Sequence, residues 1–124
     1  MLFRSRAVRA WALAHPAEYA LIYGSPVPGY AAPHETVAAA GRVALVLIAI
    51  VVEHGAPVHG PDGLVAADVV PGLDPGAAPA AVVAWTQLFG AVGFELFGQY
   101  ENVVVDRAAF LDHVADTAAA SVGL

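Results

Sequence analysis

The stretch PAAVVAWTQLFGAVGFELFGQY, residues 79–100, decides how this chain folds. After its first residue it contains no proline, and its apolar side chains recur at helical spacing. One face of the predicted helix carries Thr86, Gly90, Gly93, Phe94 and Phe97. The opposite face carries Trp85, Leu88, Val92, Glu95, Leu96 and Gln99, with Phe89 beside it. A helix that is apolar on two faces needs neighbours on both. We therefore predict that one face meets a second copy of the chain and that the other lines the core or a cavity.

Proline and glycine divide the rest of the chain into further helices. His15-Pro16 interrupts the first helix, because a proline disfavours helical geometry in the residue before it. Asp106 is typical of a helix N-cap. The connection over residues 55–79 is rich in glycine and proline, with one helical turn predicted around residues 64–70. No convincing strand pair is present. The pattern predicts one all-α domain over residues 1–124, a helical bundle with helices at residues 2–14, 16–23, 33–54, 79–100 and 107–122.

The helix over residues 33–54 is long enough to cross a membrane. Its charged residues, Glu35, Arg42 and Glu53, share one stripe. Arginine in mid-helix costs several kcal/mol in lipid, and the uninterrupted apolar run spans only residues 43–52. These features favour a buried central helix over a membrane span. Its predicted core face consists of Val37, Ala40, Ala44, Leu47, Ile48 and Val51.

The composition predicts a partner surface and argues against nucleic-acid contact. Hydrophobic residues make up 59% of the chain and charged residues 13%, about half the usual charged share. The net charge is −6, and residues 10–124 carry two arginines against eleven acids, a net charge of −9. Such a body repels phosphate backbones. The absence of cysteine excludes a disulfide scaffold and a thiolate metal site.

No catalytic constellation can be assembled from the residue spacing, so we predict no enzyme activity and no cofactor. Glu53, His54, His59 and Asp62 are close in sequence. They straddle a helix end and a glycine-rich loop rather than sharing one helix face, so we predict no metal site.

Two features leave alternatives open. Glu95 is the one acid set deep within an apolar helix. It is either a carboxylate hydrogen-bonded at a helix interface or the polar anchor of a ligand cavity, since apolar pockets use a few polar groups to orient their guest. Trp11, Tyr19 and Tyr23 are similarly either core or cavity-lining residues.

Two motifs carry a family resemblance. RAWALAHP (residues 9–16), followed by Tyr19 and by YGSPVPGYAAP (residues 23–33), resembles the start of the C-terminal regulatory domain of TetR-type transcriptional repressors, in the subgroup named for a Trp-His-Gly signature. AWTQLFG (residues 84–90) and FELFG (residues 94–98) resemble the penultimate helix of that domain. Phe89 stands where members of the family commonly have histidine, so no role of that histidine carries over.

The resemblance implies an effector-binding domain that forms a homodimer through its last two helices, residues 79–100 and 107–122. It also implies a helix-turn-helix that reads DNA, which we do not expect within these 124 residues. The arginines Arg4, Arg6 and Arg9 would then belong to the helix that connects the two domains. The chain would be either a piece of a longer repressor or a stand-alone sensor.

We therefore predict a cytoplasmic regulatory domain that binds a small, mostly apolar effector. The alternatives are a helical self-association module without a ligand and a small membrane-associated protein. The candidate pocket residues are Trp11, Tyr19, Tyr23, Leu47, Trp85, Leu88, Phe89, Val92 and Glu95. The candidate dimer residues are Thr86, Gly90, Gly93, Phe94, Phe97, Phe110, Val114 and Ala118.

Overall fold

The computed structural model of the chain describes residues 2–24, 37–55, 60–66 and 72–124. These residues contain no strand, and the predicted all-α class is confirmed. Residues 25–32, which link the helices predicted at 16–23 and 33–54, and the helix start predicted at Pro33 lie outside the described residues. The helices are α1 (Leu2–Ala14), α2 (Pro16–Tyr23), α3 (Val37–His54), α4 (Ala78–Leu96) and α5 (Arg107–Ser121).

The first two helices have the predicted bounds. The His15 amide still donates to the Trp11 carbonyl oxygen at 2.8 Å, and α2 begins at Pro16, which has no amide proton to leave unpaired. The Gly24 amide donates to the Ala20 carbonyl at 2.8 Å and ends α2. The proline-based and glycine-based boundaries are both confirmed.

Helix α4 ends at Leu96, four residues before the end predicted at Tyr100. Gly98 adopts φ +84°, in the left-handed region, and the Gln99 amide donates back to the Phe94 carbonyl at 3.0 Å. This arrangement is the Schellman ending that glycine allows just beyond a helix. The prediction of Tyr100 was wrong because the apolar pattern continues past the glycine that breaks the helix.

Helix α5 begins as predicted. The Asp106 carboxylate accepts a hydrogen bond from the Ala109 amide at 2.9 Å, which confirms it as the N-cap. The helix ends at Ser121, and Val122 is its C-cap.

Part of the long connection is tied to the start of α4. The Gly60 amide donates to the Gly76 carbonyl at 2.8 Å. Residues 60–66 form turns and bends, so no helical turn begins at Leu64. The remainder of the predicted turn, residues 67–70, lies outside the described residues.

Helix α4, rather than α3, is the central helix of the bundle. It packs against α1, α3 and α5, most extensively against α5. On α3, Leu47, Ile48 and Val51 are buried as predicted, whereas several other large apolar side chains are exposed. The prediction that α3 is the buried central helix was therefore wrong: it contributes one apolar stripe and lies at the edge. The exposed side chains are Val43, Leu45, Val46 and Val52.

Among the described residues, two groups of side chains that meet along α4 form most of the core. Small alanines of α4 and α5 allow close approach of these helices, and Phe89 and Val114 pack against both groups. The first group is Leu47, Val51, Ala84, Leu88, Ala115, Ala118 and Val122. The second is Ala12, Tyr19, Ala91, Val92 and Leu111.

Within the described part of the chain, α4 alone has the length and apolar composition that could cross a membrane. The core helix of a soluble bundle meets the same criterion, and α4 is packed by three other helices. This observation therefore gives little support to a membrane span.

Candidate functional site

A cavity of about 380 Å³, open to solvent, lies between α1, α2, α3 and α4. Its size falls within the usual range of small-molecule pockets, roughly 300–1,000 Å³. Trp11, Tyr23 and Phe89 are the members of the predicted pocket set that line it. The full set of described lining residues is Ala7, Val8, Trp11, Ile22, Tyr23, Val43 and Phe89. None of these side chains is charged, so the described wall is suited to a neutral, apolar guest.

Each aromatic side chain of the cavity wall contacts another ring. The indole of Trp11 stacks on His15 at a centroid distance of 5.6 Å, and His15 Nδ1 lies 3.1 Å from the Trp11 carbonyl oxygen. The rings of Tyr23 and Phe89 lie 4.7 Å apart at an angle of 49°. Burial raises the pKa of Tyr23 above its ordinary value, so its hydroxyl stays neutral at physiological pH.

Three predicted pocket residues, Leu47, Leu88 and Val92, lie in the core instead of the cavity wall. Together with neighbouring side chains they surround only a void of about 10 Å³. A void of that size holds at most about one water molecule. The helical pattern could not distinguish a buried residue from a cavity-lining one.

Tyr19 and Trp85 do not line the cavity but contact the two rings, Tyr23 and Phe89, that do. Tyr19 is buried, and its hydroxyl donates to the Phe89 carbonyl oxygen at 2.9 Å. Burial raises the pKa of Tyr19 to about 12. Trp85 packs edge-on against Phe89 at 6.2 Å, and its Nε1 is buried without a hydrogen-bond partner in the described part of the chain.

Glu95 is bound to Arg9 rather than facing the cavity. The Arg9 guanidinium donates to both carboxylate oxygens, at 2.7 and 2.6 Å. The two side chains are 24% and 8% exposed. Hydrogen bonds to Glu95 raise the pKa of Arg9 above its ordinary value. The structure thus places Glu95 at a helix interface, the first of the two alternatives considered for it.

A second arginine joins α1 to α5. Arg6 donates to the two carboxylate oxygens of Asp112 at 2.8 and 2.7 Å. This pair is more exposed, at 62% and 29%. The Arg6 hydrogen bonds hold the pKa of Asp112 below its ordinary value. Helix α1 therefore forms part of the cavity wall with one set of residues and is attached to α4 and α5 by another.

The predicted dimer residues form an apolar surface on α4 and α5. Phe94 and Phe97 are 54% and 49% exposed, and Thr86 and Gly90 are also exposed. Phe94, Tyr100 and Phe110 pack edge to face, at 5.9 and 5.4 Å. Val114 and Gly93 are half-buried. Ala118 is fully buried in the core, so it does not belong to this surface, and its assignment to a dimer interface was wrong.

Two grooves lined by described residues cross this surface. One, of about 400 Å³, runs between α4 and α5 and is lined by residues such as Gly90, Phe94 and Phe110. The other, of about 350 Å³, runs between α2 and α4. Its described lining residues are Tyr19, Tyr23, Trp85, Thr86, Phe89, Gly90, Gly93, Phe94 and Phe97.

The described residues contain no group of three or more histidine, aspartate or glutamate side chains placed to hold a metal ion. Glu53 and His54 lie 3.5 Å apart at the end of α3, and both are exposed. His59, another member of the sequence cluster, lies outside the described residues.

Comparison with known families matches residues 4–118 to the family described as tetracyclin repressor-like, C-terminal domain. The chain belongs to this family. The match confirms the resemblance found in the two sequence motifs and agrees with the observed all-α fold.

Comparison with curated proteins identifies relatives that are named transcriptional regulators. The chain is 35% identical over 125 aligned positions to the HTH-type transcriptional regulators Mb1846 of Mycobacterium bovis and Rv1816 of Mycobacterium tuberculosis. The alignment covers 87% of this chain and 53% of each relative. The chain thus spans about half the length of the curated relatives it matches.

Within this TetR-like domain, sequence reasoning missed part of the cavity wall and both arginine pairs. The cavity-lining residues Ile22 and Val43 were not among the predicted pocket residues, and Val43 was placed only in the apolar run of residues 43–52. The signal for the pairs was present: Arg6 and Arg9 are three residues apart on α1, and Glu95 is the one acid inside α4. Residues three apart share a helix face. That spacing predicts that both arginines contact the same side of the bundle.

Proposed function

We propose that this chain is the effector-binding and dimerisation domain of a TetR-like transcriptional regulator in the cytoplasm. Its effector is a small, mostly apolar molecule, and the domain itself catalyses no reaction. The observation that carries the proposal is the 380 Å³ cavity walled by Trp11, Tyr23 and Phe89. Membership of the family and the regulators among its relatives support it.

The effector would act through α1. Val8 and Trp11 on this helix line the cavity, while Arg6 and Arg9 join it to α5 and α4. If the effector binds more tightly when α1 is in one position than in another, it increases the population of molecules with that position. The change in the free-energy difference between the two positions is no larger than the difference in binding free energy. Binding and helix position are then thermodynamically linked.

DNA contact is assigned to a helix-turn-helix unit other than the five helices described here. Residues 10–124 carry a net charge of −9, which repels a phosphate backbone. The relatives are named HTH-type regulators, and the chain matches about half of their length.

The first test asks whether the cavity binds an apolar guest. The neutral fluorescent probe N-phenyl-1-naphthylamine is expected to bind the wild-type chain with an increase in emission. Val43→Glu places a charge at the exposed edge of the cavity wall and is expected to weaken binding strongly, because a guest that covers this position would remove water from an unpaired carboxylate. Val105→Glu is the matched control, since Val105 is fully exposed and lines none of the described cavities. Equal binding by the two variants would contradict the proposed site.

The homodimer is assigned to the apolar surface of α4 and α5. A β-carbon added at Gly90 would meet no described atom within 4 Å apart from its chain neighbours and the adjacent backbone of α4, so the surface there is open to a partner. Sedimentation equilibrium should give a dimer for the wild type and a monomer for Phe94→Glu. Phe3→Glu makes the same change on α1, at a side chain that is 83% exposed, and should leave the dimer intact. A monomeric wild type at high concentration would refute this part.

A self-association module without a ligand is the second candidate. It is favoured by the placement of Leu47, Leu88 and Val92 in a packed core. This candidate predicts a dimer that binds no probe. The two experiments above therefore separate it from the sensor.

A further inference from the structure

The 380 Å³ cavity and the 350 Å³ groove between α2 and α4 lie back to back. Tyr23 and Phe89 are the two described residues that line both. Their rings, 4.7 Å apart, form the partition between the two spaces. On one side of the partition is the proposed effector cavity, and on the other is the groove that reaches the proposed dimer surface at Gly90 and Phe94.

The partition is made of ring atoms on a fixed backbone. The Phe89 carbonyl accepts a hydrogen bond from Tyr19, which holds the α4 backbone against α2. Both partition side chains are half-buried, and no hydrogen bond between them closes the wall. Shortening either side chain would therefore join the two spaces without movement of either helix.

We propose that Phe89, together with Tyr23, sets the length limit of the effector. With both rings in place, the cavity accepts a compact neutral apolar molecule. When either ring is replaced by a shorter side chain, the cavity joins the groove. The joined space accepts a longer, linear neutral chain whose far end reaches the proposed dimer surface. This inference rests on the proposed function, because it concerns the specificity of that same cavity.

The chemical class follows from the walls on both sides. The described lining residues of both spaces are apolar or aromatic apart from Thr86 and the tyrosine hydroxyls, and none is charged. A buried charge without a partner is strongly disfavoured. Fatty acids and other anionic chains are therefore poor guests, and alcohols of matched length are good ones.

The experiment measures how affinity depends on chain length. A series of n-alkanols displaces N-phenyl-1-naphthylamine from the wild type and from the Phe89→Leu and Tyr23→Leu variants. Each methylene that is buried raises affinity about fourfold. For the wild type we expect this rise to stop at the length that fills the cavity. For both variants we expect it to continue over several further carbons.

Leu111→Val is the matched control. Leu111 is buried in the same core group against which Phe89 packs, and it lines neither the cavity nor the groove. This variant loosens the core without opening the partition, so its length limit should be that of the wild type. Thermal melts confirm that each variant is folded. Tyr23→Leu, on α2, keeps the test available if Phe89→Leu does not fold.

The outcomes distinguish a failure of this inference from a failure of the proposed effector cavity. The same length limit in the wild type and in both partition variants would overturn the inference and leave the effector cavity standing. A wild type that binds no probe would overturn the cavity itself and the inference with it. Length-matched fatty acids that bind as tightly as the alkanols would overturn the assignment to neutral chains.

Discussion

The Arg9–Glu95 pair is expected to contribute measurably to stability, and Glu95→Gln tests this. The substitution keeps the shape of the side chain but removes its charge and one acceptor oxygen. Wild-type Glu95 accepts two hydrogen bonds of 2.7 and 2.6 Å while its side chain is 8% exposed. A hydrogen bond to a charged group is worth about 1.5–3 kcal/mol. Glutamine retains one weaker bond, and Arg9 can still reach water, so we expect a net loss of about 2 kcal/mol.

For a chain of this length, that loss corresponds to a fall in Tm of about 6–10 °C. Circular dichroism melts at pH 7 measure it. Asp112→Asn is the matched control. It breaks a pair of the same geometry whose arginine, Arg6, is also on α1, but the Arg6 side chain is 62% exposed. Because water and salt screen exposed charges, its effect should be much smaller and should vanish at high salt. If Glu95→Gln lowers the Tm no more than Asp112→Asn does, the burial argument is refuted.

Three further changes have expected outcomes. Tyr19→Phe removes the hydrogen bond to the Phe89 carbonyl and should lower the free energy of unfolding in urea by about 1 kcal/mol. Because burial raises the Tyr19 pKa to about 12, the stabilisation from the neutral hydroxyl is present below pH 10 and is lost as the pH rises toward 12. The variant lacks this hydroxyl, so its stability should fall less steeply with alkaline pH than that of the wild type. The Arg6 hydrogen bonds lower the Asp112 pKa from 3.8, so the stabilisation from this pair is present above pH 4 and is lost as the pH falls through the lowered pKa. The Tm difference between the wild type and Asp112→Asn should therefore shrink in acid. A difference that grew would contradict the assignment. Gly98→Ala forces a side chain into φ +84° and should cost about 1 kcal/mol, whereas an unchanged Tm would show that the helix end relaxes.

Most helix boundaries could be predicted because local chemistry determines them. Pro16, Gly24 and Asp106 act through their own backbone or side chain, and each behaves as expected. The end of α4 could not be read from apolar spacing, because Phe97 and Tyr100 continue the pattern beyond the helix. Gly98 was the available signal.

The position of each helix in the bundle was harder to predict. Helix α3 is more uniformly aliphatic in sequence than α4, yet its Val46 and Val52 are exposed. Burial depends on which helices pack together, and a helical pattern gives the face without giving the partner.

The candidate pocket was predicted only in part for the same reason. Trp11, Tyr23 and Phe89 were identified because aromatic residues at helical spacing stand out in sequence. Leu88 and Val92 share their helix with Phe89 but face the packed core. Small lining residues such as Ala7 carry no signal in one sequence, since the cavity exists where side chains are short.

The attachment of α1 has a consequence for synthesis of the chain. Arg6 and Arg9 bind residues 106 and 86 positions later. Chains leave the ribosome from the N-terminus, so α1 is made before α4 and α5 and cannot form these ion pairs until they emerge. Until α4 emerges, Val8 and Trp11 have no Phe89 to face, and the cavity does not exist. The proposed effector site can therefore form only after α4 has emerged.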